Sequence, residues 1–522
     1  MVASQRYICT IDSGTTSNRC ILFDTDDLSI KAIHQIEHRQ IYRQPGWVEH
    51  DPKEIIANVK LCINQAVSQL YSTVPASKPS EEVIAIGVTN QRETLVVWDS
   101  STGEPLYNAI VWLDTRTKDC VDQLVTKLGG VRALSDQTGL PLSTYFSGVK
   151  LRWLLDNVPA VAEASAKKTL LWGTIDSWIL YSLSRERVHV TDVSNASRTL
   201  LFNIKSLEWD KQLFDALDIP FTGYPEVKLS CSESYGTMDQ GPLADVPFCS
   251  ILGDQQSALC GQGGVSPSST KVTYGTGAFL LKNTGSVPIS SSHGLVTTIG
   301  YQFKSNEVIY CLEGSIAVAG SAIQFCRDNL CLFSDVSEVE PLARSVDEAE
   351  CVFVPAFSGL FCPHWDQTAR GTIVGMSQYT TKAHIVRSVL SSVAHQVCDV
   401  IYAMNEDTAH VKGLKELSDL KIDGGMTSNT LLCETQASLL NCPVYVSRVA
   451  APGGEQKSEA TALGAALAAG VGIGFWDSIE EAVEHQQRHA NVLQYMPVLE
   501  EEKRLAAIKR WNKALDKARG WI

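Results

Sequence analysis

"YICTIDSGTTSNRCILFD" (residues 7–24) decides how this chain is read. Two runs rich in Ile, Cys, Tyr and Phe flank Asp12-Ser13-Gly14-Thr15-Thr16-Ser17, and they read as strands joined by a tight turn. A hairpin turn asks for Gly, Asn or Asp, but not for a row of hydroxyls beside an acid. Taken alone, the hexapeptide is equally an ordinary polar turn. Residues 269–285, "STKVTYGTGAFLLKNTG", weigh against that reading, because Tyr274-Gly275-Thr276-Gly277-Ala278-Phe279 repeats the order strand, Gly-Thr turn, strand. Two similar halves, each presenting such a turn, suggest a duplicated fold with a cleft between them. Backbone N–H groups and hydroxyls of two facing turns would grip a phosphate chain from both sides, with glycine admitting the main chain close to it.

The rest of the chain fits this plan. Strand-like runs at 7–11, 19–24, 83–89, 94–98 and 108–112 alternate with helical periodicity over 53–71, 149–156 and 169–183, which predicts an α/β first half. The second half adds strand-like "EVIYCLEGS" and "VFVPAF", then helices around 383–404 and 429–440. At 522 residues the chain exceeds one comfortable core. The Gly-, Ser- and Pro-bearing stretch at 262–268 places the boundary, giving domains 1–262 and 263–522. "RVAAPGGEQKSE" (448–459) reads as a surface loop. "ATALGAALAAGVGIGFW" (460–476) is uncharged but short of the roughly 20 residues a membrane span needs, so it reads as a tightly packed helix. In the tail, Leu505, Ile508, Trp511 and Leu515 recur at helical spacing. A terminal helix docking on its own domain is expected, with contact to a membrane surface as the alternative.

Charge and cysteine usage narrow the setting. A net charge of −14 argues against a nucleic-acid partner and leaves any anionic substrate dependent on local donors or a metal. The 15 cysteines form no C-x-x-C pair and sit in apolar segments, as buried reduced thiols of a cytoplasmic protein would. No G-x-x-x-x-G-K-[ST] motif occurs, and "GVGIGF" (470–475) mis-spaces the dinucleotide fingerprint. His485 and His489 share a helical spacing, but nothing nearby in sequence completes a zinc site.

In order along the chain, "IDSGTTSNRCILFD", "QPGWVEHDP", "IGVTNQRETLVVWD", "NAIVWLDTRT", "GDQQSAL", "TYGTGAFLL", "LEGSIAVAGSAIQ" and "DGGMTSN" resemble the FGGY carbohydrate kinases, and among them the glycerol-phosphorylating members. The resemblance runs from about residue 6 to 477. It implies the duplicated actin/Hsp70/hexokinase-like (ribonuclease H-like) α/β fold with an inter-domain cleft. It further implies ATP-dependent transfer of a phosphoryl group to glycerol with Mg²⁺, and a homodimer or homotetramer. The same motifs leave open a sibling kinase for another polyol or sugar, or a catalytically weak binding or regulatory homologue.

Carried over residue by residue, the resemblance puts the phosphates at Thr15, Thr16, Ser17 and Arg19 on the first turn and at Thr276 on the second. Short hydroxyl and amide donors suit phosphoryl transfer, which is mostly positioning and charge stabilisation. Asp12 would hold hydrated Mg²⁺. Gly320, Gln324, Gly425 and Asn429 match the nucleotide pocket. For the acceptor, Arg92 donates and Glu93 accepts, so the pair fixes a diol's direction; alone, the two would read as a strand-end ion pair. Trp112 and Phe279 match an apolar wall, Tyr145 a further hydroxyl contact, and Gln255 an orienting partner. Asp254 matches the base that takes the hydroxyl proton, although an acid at a strand-to-helix junction is also a common N-cap. Two positions depart from the family pattern: Ser13 stands where Gln or Glu is expected, and Cys362-Pro363-His364 where Ala-Pro-Tyr is.

Overall fold

The computed structural model describes residues 5–73, 79–304, 307–347 and 350–522. β1 (Tyr7–Ser13) and β2 (Ser17–Asp24) form the expected hairpin, in antiparallel register with Asp12 opposite Arg19. β3 (Ile30–Glu37) pairs antiparallel with β2. Helix α1 (Pro52–Thr73) leads to β4 (Val83–Asn90), and β5 (Phe248–Gly253) completes the order β5-β4-β1-β2-β3, with β4 and β5 parallel to β1. Every residue of β1 is buried, as expected of a strand covered on both faces. Its side chains alternate. Cys9 and Ile11 pack with Ile55, Val59 and Cys62 of α1, while Ile8 packs with Ala466 and Leu467 from far along the chain.

α2 (Asp254–Gly261) begins directly after β5 and leads into the second sheet, which repeats the plan. β6 (Thr270–Tyr274) and β7 (Ala278–Gly285) make the second hairpin. β8 (Val296–Lys304) is an added edge strand on β9 (Glu307–Ile316), and β9 pairs antiparallel with β7. After helices α3 (Gly320–Asp328) and α4 (Lys382–Thr408), β10 (Leu420–Asp423) adds parallel to β6. Helix α5 (Thr430–Leu440) connects it to β11 (Val444–Ala450), parallel to β10. Without β8 and the two short strands that pair with β11 (Gln456–Lys457 and Asn491–Tyr495), the order and sense of strands match the first sheet, so the echo between the two turns reflects a repeated topology.

Helix α6 (Ala460–Gly472) belongs by sequence to the second half but covers the first sheet. Its Ala/Gly composition follows from that crossing. A Cβ on Gly464 would lie 1.8 Å from the carbonyl oxygen of Ser257, and one on Gly261 would lie 1.9 Å from that of Ala460. Ser257 Oγ donates to Thr461 O at 2.6 Å and Ser250 Oγ to Ala465 O at 2.8 Å. Among the described residues no helix is long and apolar enough to cross a membrane.

Several sequence expectations change in detail. Of 169–183 only Ile175–Leu183 is helix; Leu170–Gly173 is a strand, because a short apolar run carries no periodicity that separates the two. The run at 108–112 shrinks to Ala109–Ile110. In 448–459 the first residues end β11 and Gln456–Lys457 pairs back on it, so only the tip is a loop. The tail forms α7 (Glu501–Ala518), which buries Trp511, Ala514 and Leu515 against Val354, Ala356 and Leu360 and leaves Leu505 exposed. His364, at one departure from the family pattern, helps hold that helix: its Nε2 lies 3.2 Å from Asp399 Oδ2, which also accepts from Trp511 Nε1 at 2.8 Å.

Candidate active site

The first turn closes with Gly14 N–H donating to Ser17 O at 2.9 Å. Thr16 is exposed, and Trp112 Nε1 donates to Thr15 Oγ1 at 2.9 Å, which ties the turn to the aromatic wall. Ser13 spends its hydroxyl inside the hairpin, donating to Asn18 Oδ1 at 2.7 Å, so its departure from the family pattern does not reach the cleft. Arg19 Nη1 lies 2.9 Å from Glu459, just ahead of α6, and 3.8 Å from Asp12. Burial pushes the Asp12 carboxyl up to about 6; Arg19 offsets this only in part and Glu459 adds to it.

The second turn mirrors the first, with Gly275 N–H donating to Gly277 O at 2.8 Å. The Thr276 carbonyl accepts from Ala319 N and Ser321 N, both at 3.0 Å, and Gly275 O accepts from Gly320 N at 3.0 Å. A Cβ on Gly320 would meet Gly275 O at 2.6 Å, so glycine is required where α3 starts against the turn. Gly320, Gln324, Gly425 and Asn429 line one cavity of about 580 Å³ together with Tyr274 and Gly275. Asn429 also caps α5, accepting from Leu432 N at 3.0 Å. Thr276 is exposed on the turn and is not part of that cavity's lining.

Arg92 and Glu93 follow the end of β4 in a bend and are buried, with Glu93 in the left-handed region at φ 59°. They belong to a four-member network that sequence reasoning missed. Glu313, on β9 of the second sheet, accepts from Arg92 Nη1 at 2.6 Å, Arg92 Nη2 at 2.8 Å and Arg198 Nη2 at 3.0 Å. Arg198 Nε donates to Glu93 at 2.6 Å. Burial alone would raise the Glu313 carboxyl; the guanidiniums of Arg198 and Arg92 outweigh it and hold it at about 2. Glu93 moves upward, since burial dominates there and Glu313 repels it. The ring of Trp112 stands 5.3 Å from that of Tyr145 and 5.8 Å from that of Phe279, both edge-on, so the three aromatics make one wall.

Asp254 is the first residue of α2 and accepts from Gln255 N at 2.8 Å; its side chain is about a quarter exposed to the cleft, with Arg92 Nε at 3.3 Å. Burial holds its carboxyl above the ordinary range, against the pull of Arg92 and Lys271, and Asp12 pushes the same way as burial. Lys271, also missed, is buried on β6: Nζ donates to Gln255 Oε1 at 2.5 Å and to Thr273 Oγ1 at 2.9 Å. Burial brings its ammonium down to about 8. Asp12, in β1, and Asp254, directly after β5, lie on the same half of the molecule, close enough that the charge of Asp12 adds to the upward shift of Asp254. Among the described residues no group of three or more His, Cys, Asp or Glu side chains is placed to hold a metal ion.

Two sheets of one topology, each carrying a Gly-Thr turn, and a buried Arg/Glu pair beside the acid at the head of α2 make up the site. Residues 7–261 match the FGGY family of carbohydrate kinases, N-terminal domain, and residues 270–473 its C-terminal domain; the chain belongs to this family. It is 46% identical to the glycerol kinase of Saccharopolyspora erythraea over 521 residues, 99% of each chain, and 44% identical to that of Nocardia farcinica at the same coverage. Among solved structures it is similar to Plasmodium falciparum glycerol kinase with ADP, with TM-score 0.88 and 35% identity over 98% of both chains. Gluconate kinase from Lactobacillus acidophilus shares the fold, with TM-score 0.80 at 20% identity over 98% of this chain and 97% of that one.

Proposed function

We propose that this chain transfers the γ-phosphoryl group of ATP to a terminal hydroxyl of glycerol, giving sn-glycerol 3-phosphate and ADP. Residues 1–262 act as the acceptor half and 263–522 as the nucleotide half. The observation that carries this reading is Asp254, open to the cleft at the head of α2, with Arg92 Nε 3.3 Å away. Arg92 donates to and Glu93 accepts from the diol, Gln255 is aimed by Lys271, and the Trp112–Tyr145–Phe279 wall takes the carbon backbone. Gly320, Gln324, Gly425 and Asn429 seat the nucleoside. Thr15, Thr16, Ser17 and Thr276 offer donors to the outer phosphates, and Arg19 offers a permanent cation.

Asp254 takes the proton of the attacking hydroxyl, and its raised carboxyl is a better base for that task than an ordinary aspartate. Asp12 would hold Mg²⁺, which supplies positive charge to the phosphoryl oxygens. Closing the cleft over both substrates excludes water as a competing acceptor. We place the protein in the cytoplasm, on the strength of fifteen free cysteines. The test is ADP release by the purified chain with glycerol and with a panel of polyols, pentoses and aldonates. Glycerol-dependent release is expected; release that ignores glycerol, or follows a sugar instead, refutes the reading.

A further inference from the structure

The acceptor's aromatic wall opens into a space of about 550 Å³, lined by Trp112 and Tyr145 and larger than a three-carbon triol needs. Its inner end is Tyr145, Arg198 and Glu313; farther out stand Phe357, Phe361 and Trp365. Arg92 separates it from the reacting centre, with Nε toward Asp254 and both Nη atoms on Glu313, and Asp254 does not line it. The space therefore meets a bound acceptor at the end away from the hydroxyl that reacts. Two further observations point to an occupant. Among the described residues Arg198 Nη1 is buried without a hydrogen-bond partner, although the guanidinium is otherwise engaged. Phe361 and Trp365 are 36% and 46% exposed and stack on each other at 5.9 Å, an apolar mouth that no described residue covers. A bare triol offers this outer mouth little apolar surface, whereas an apolar substituent does.

We infer that the chain also phosphorylates 1-O-alkyl glycerols, with the ether oxygen toward Arg198 Nη1 and the short alkyl chain between Phe357, Phe361 and Trp365. The inference rests on the reading of the acceptor site given above. The free terminal hydroxyl oxygen attacks the γ-phosphorus of ATP. One O–P bond forms as the bond from that phosphorus to the ADP oxygen breaks, and the hydroxyl proton passes to Asp254.

The experiment compares glycerol with 1-O-butylglycerol as acceptors for the full chain with MgATP, following ADP release and identifying the phosphomonoester by mass spectrometry. The butyl ether is expected to be phosphorylated with kcat/KM within about tenfold of glycerol. Ser358, exposed and on the wall of the same space, supplies the discriminating variant. Ser358→Trp fills the space and is expected to lower kcat/KM for the butyl ether by about tenfold or more while leaving glycerol within about twofold. Turnover of glycerol without any butyl product overturns the inference and leaves the glycerol reading standing. A Ser358→Trp loss that is equal for both acceptors also overturns it, since the space is then only the way in. If neither acceptor is phosphorylated, the acceptor site itself is misread and the inference falls with it.

Discussion

Glu313→Gln tests the network beneath the acceptor site. Glu313 is buried on the second sheet and takes three short bonds from Arg92 and Arg198, both on the first half. Neutralising it leaves two buried guanidiniums facing Glu93 as their only fully buried carboxylate. Breaking one partner of a buried pair costs about 3–5 kcal/mol, and an amide that keeps one acceptor oxygen falls near the lower end. A second route gives a similar size. A carboxyl moved from 4.5 in the unfolded chain to about 2 when folded contributes about 3 kcal/mol at neutral pH, at about 1.4 kcal/mol per unit. Because the folded value is depressed, this stability is present above pH 4.5 and is lost as pH falls toward 2. Glu93 in the same network shifts the other way and opposes part of this slope, so the change is read as the difference between variant and parent. Urea unfolding at pH 7 and at steps down to pH 3 would show the variant less stable by about 3 kcal/mol, with its acid-side slope flattened. The KM for glycerol should rise as Arg92 loses its anchor. A loss below about 1 kcal/mol, or an unchanged acid slope, refutes the reasoning.

Asp254→Asn should lower turnover by about 10²–10⁴-fold while calorimetry finds ADP affinity unchanged; a variant that keeps most of its rate removes Asp254 as the base. In the parent enzyme kcat/KM should rise with pH as Asp254 deprotonates, with a midpoint above the ordinary 3.8, and that limb should vanish in the variant. Gly464→Ala places a Cβ 1.8 Å from Ser257 O, so thermal unfolding should show a loss of about 3 kcal/mol or more as α2 and α6 are forced apart. Trp511→Ala, at a fully buried position, should cost about 3–5 kcal/mol and expose α7 to protease before the rest of the chain; unchanged protection would mean that the helix is held by other contacts.

The parts of this protein legible in its sequence are those fixed by local chemistry. Gly14 and Gly275 stand out as glycines between two buried runs, and the Ala/Gly composition of α6 announces close helix contact before any partner is known. Family resemblance gives Gly320, Gln324, Gly425 and Asn429 to the nucleotide; what the structure adds is that the four line one cavity. Glu313, Arg198 and Lys271 were missed because their roles depend on distant partners: Arg92 meets Glu313 across 221 positions, and Arg198 meets Glu93 across 105. A signal was nevertheless present. Glu313 in "VIYCLEGSI" and Lys271 in "STKVTY" are lone charges inside apolar strands, and such a charge is seldom buried without a partner or a task. The limit on the strand at 170–173 was of another kind, since "LLWG" is too short for its period to tell strand from helix.

A crystal structure of the chain with a non-hydrolysable ATP analogue and glycerol would put the whole scheme to a single geometric test. The outer phosphates should lie between the turns at Gly14–Ser17 and Gly275–Gly277, and one terminal glycerol hydroxyl should sit about 3 Å from the Asp254 carboxylate, in line with the γ-phosphorus. Phosphates bound away from both turns, or an alcohol bound out of reach of Asp254, would contradict it.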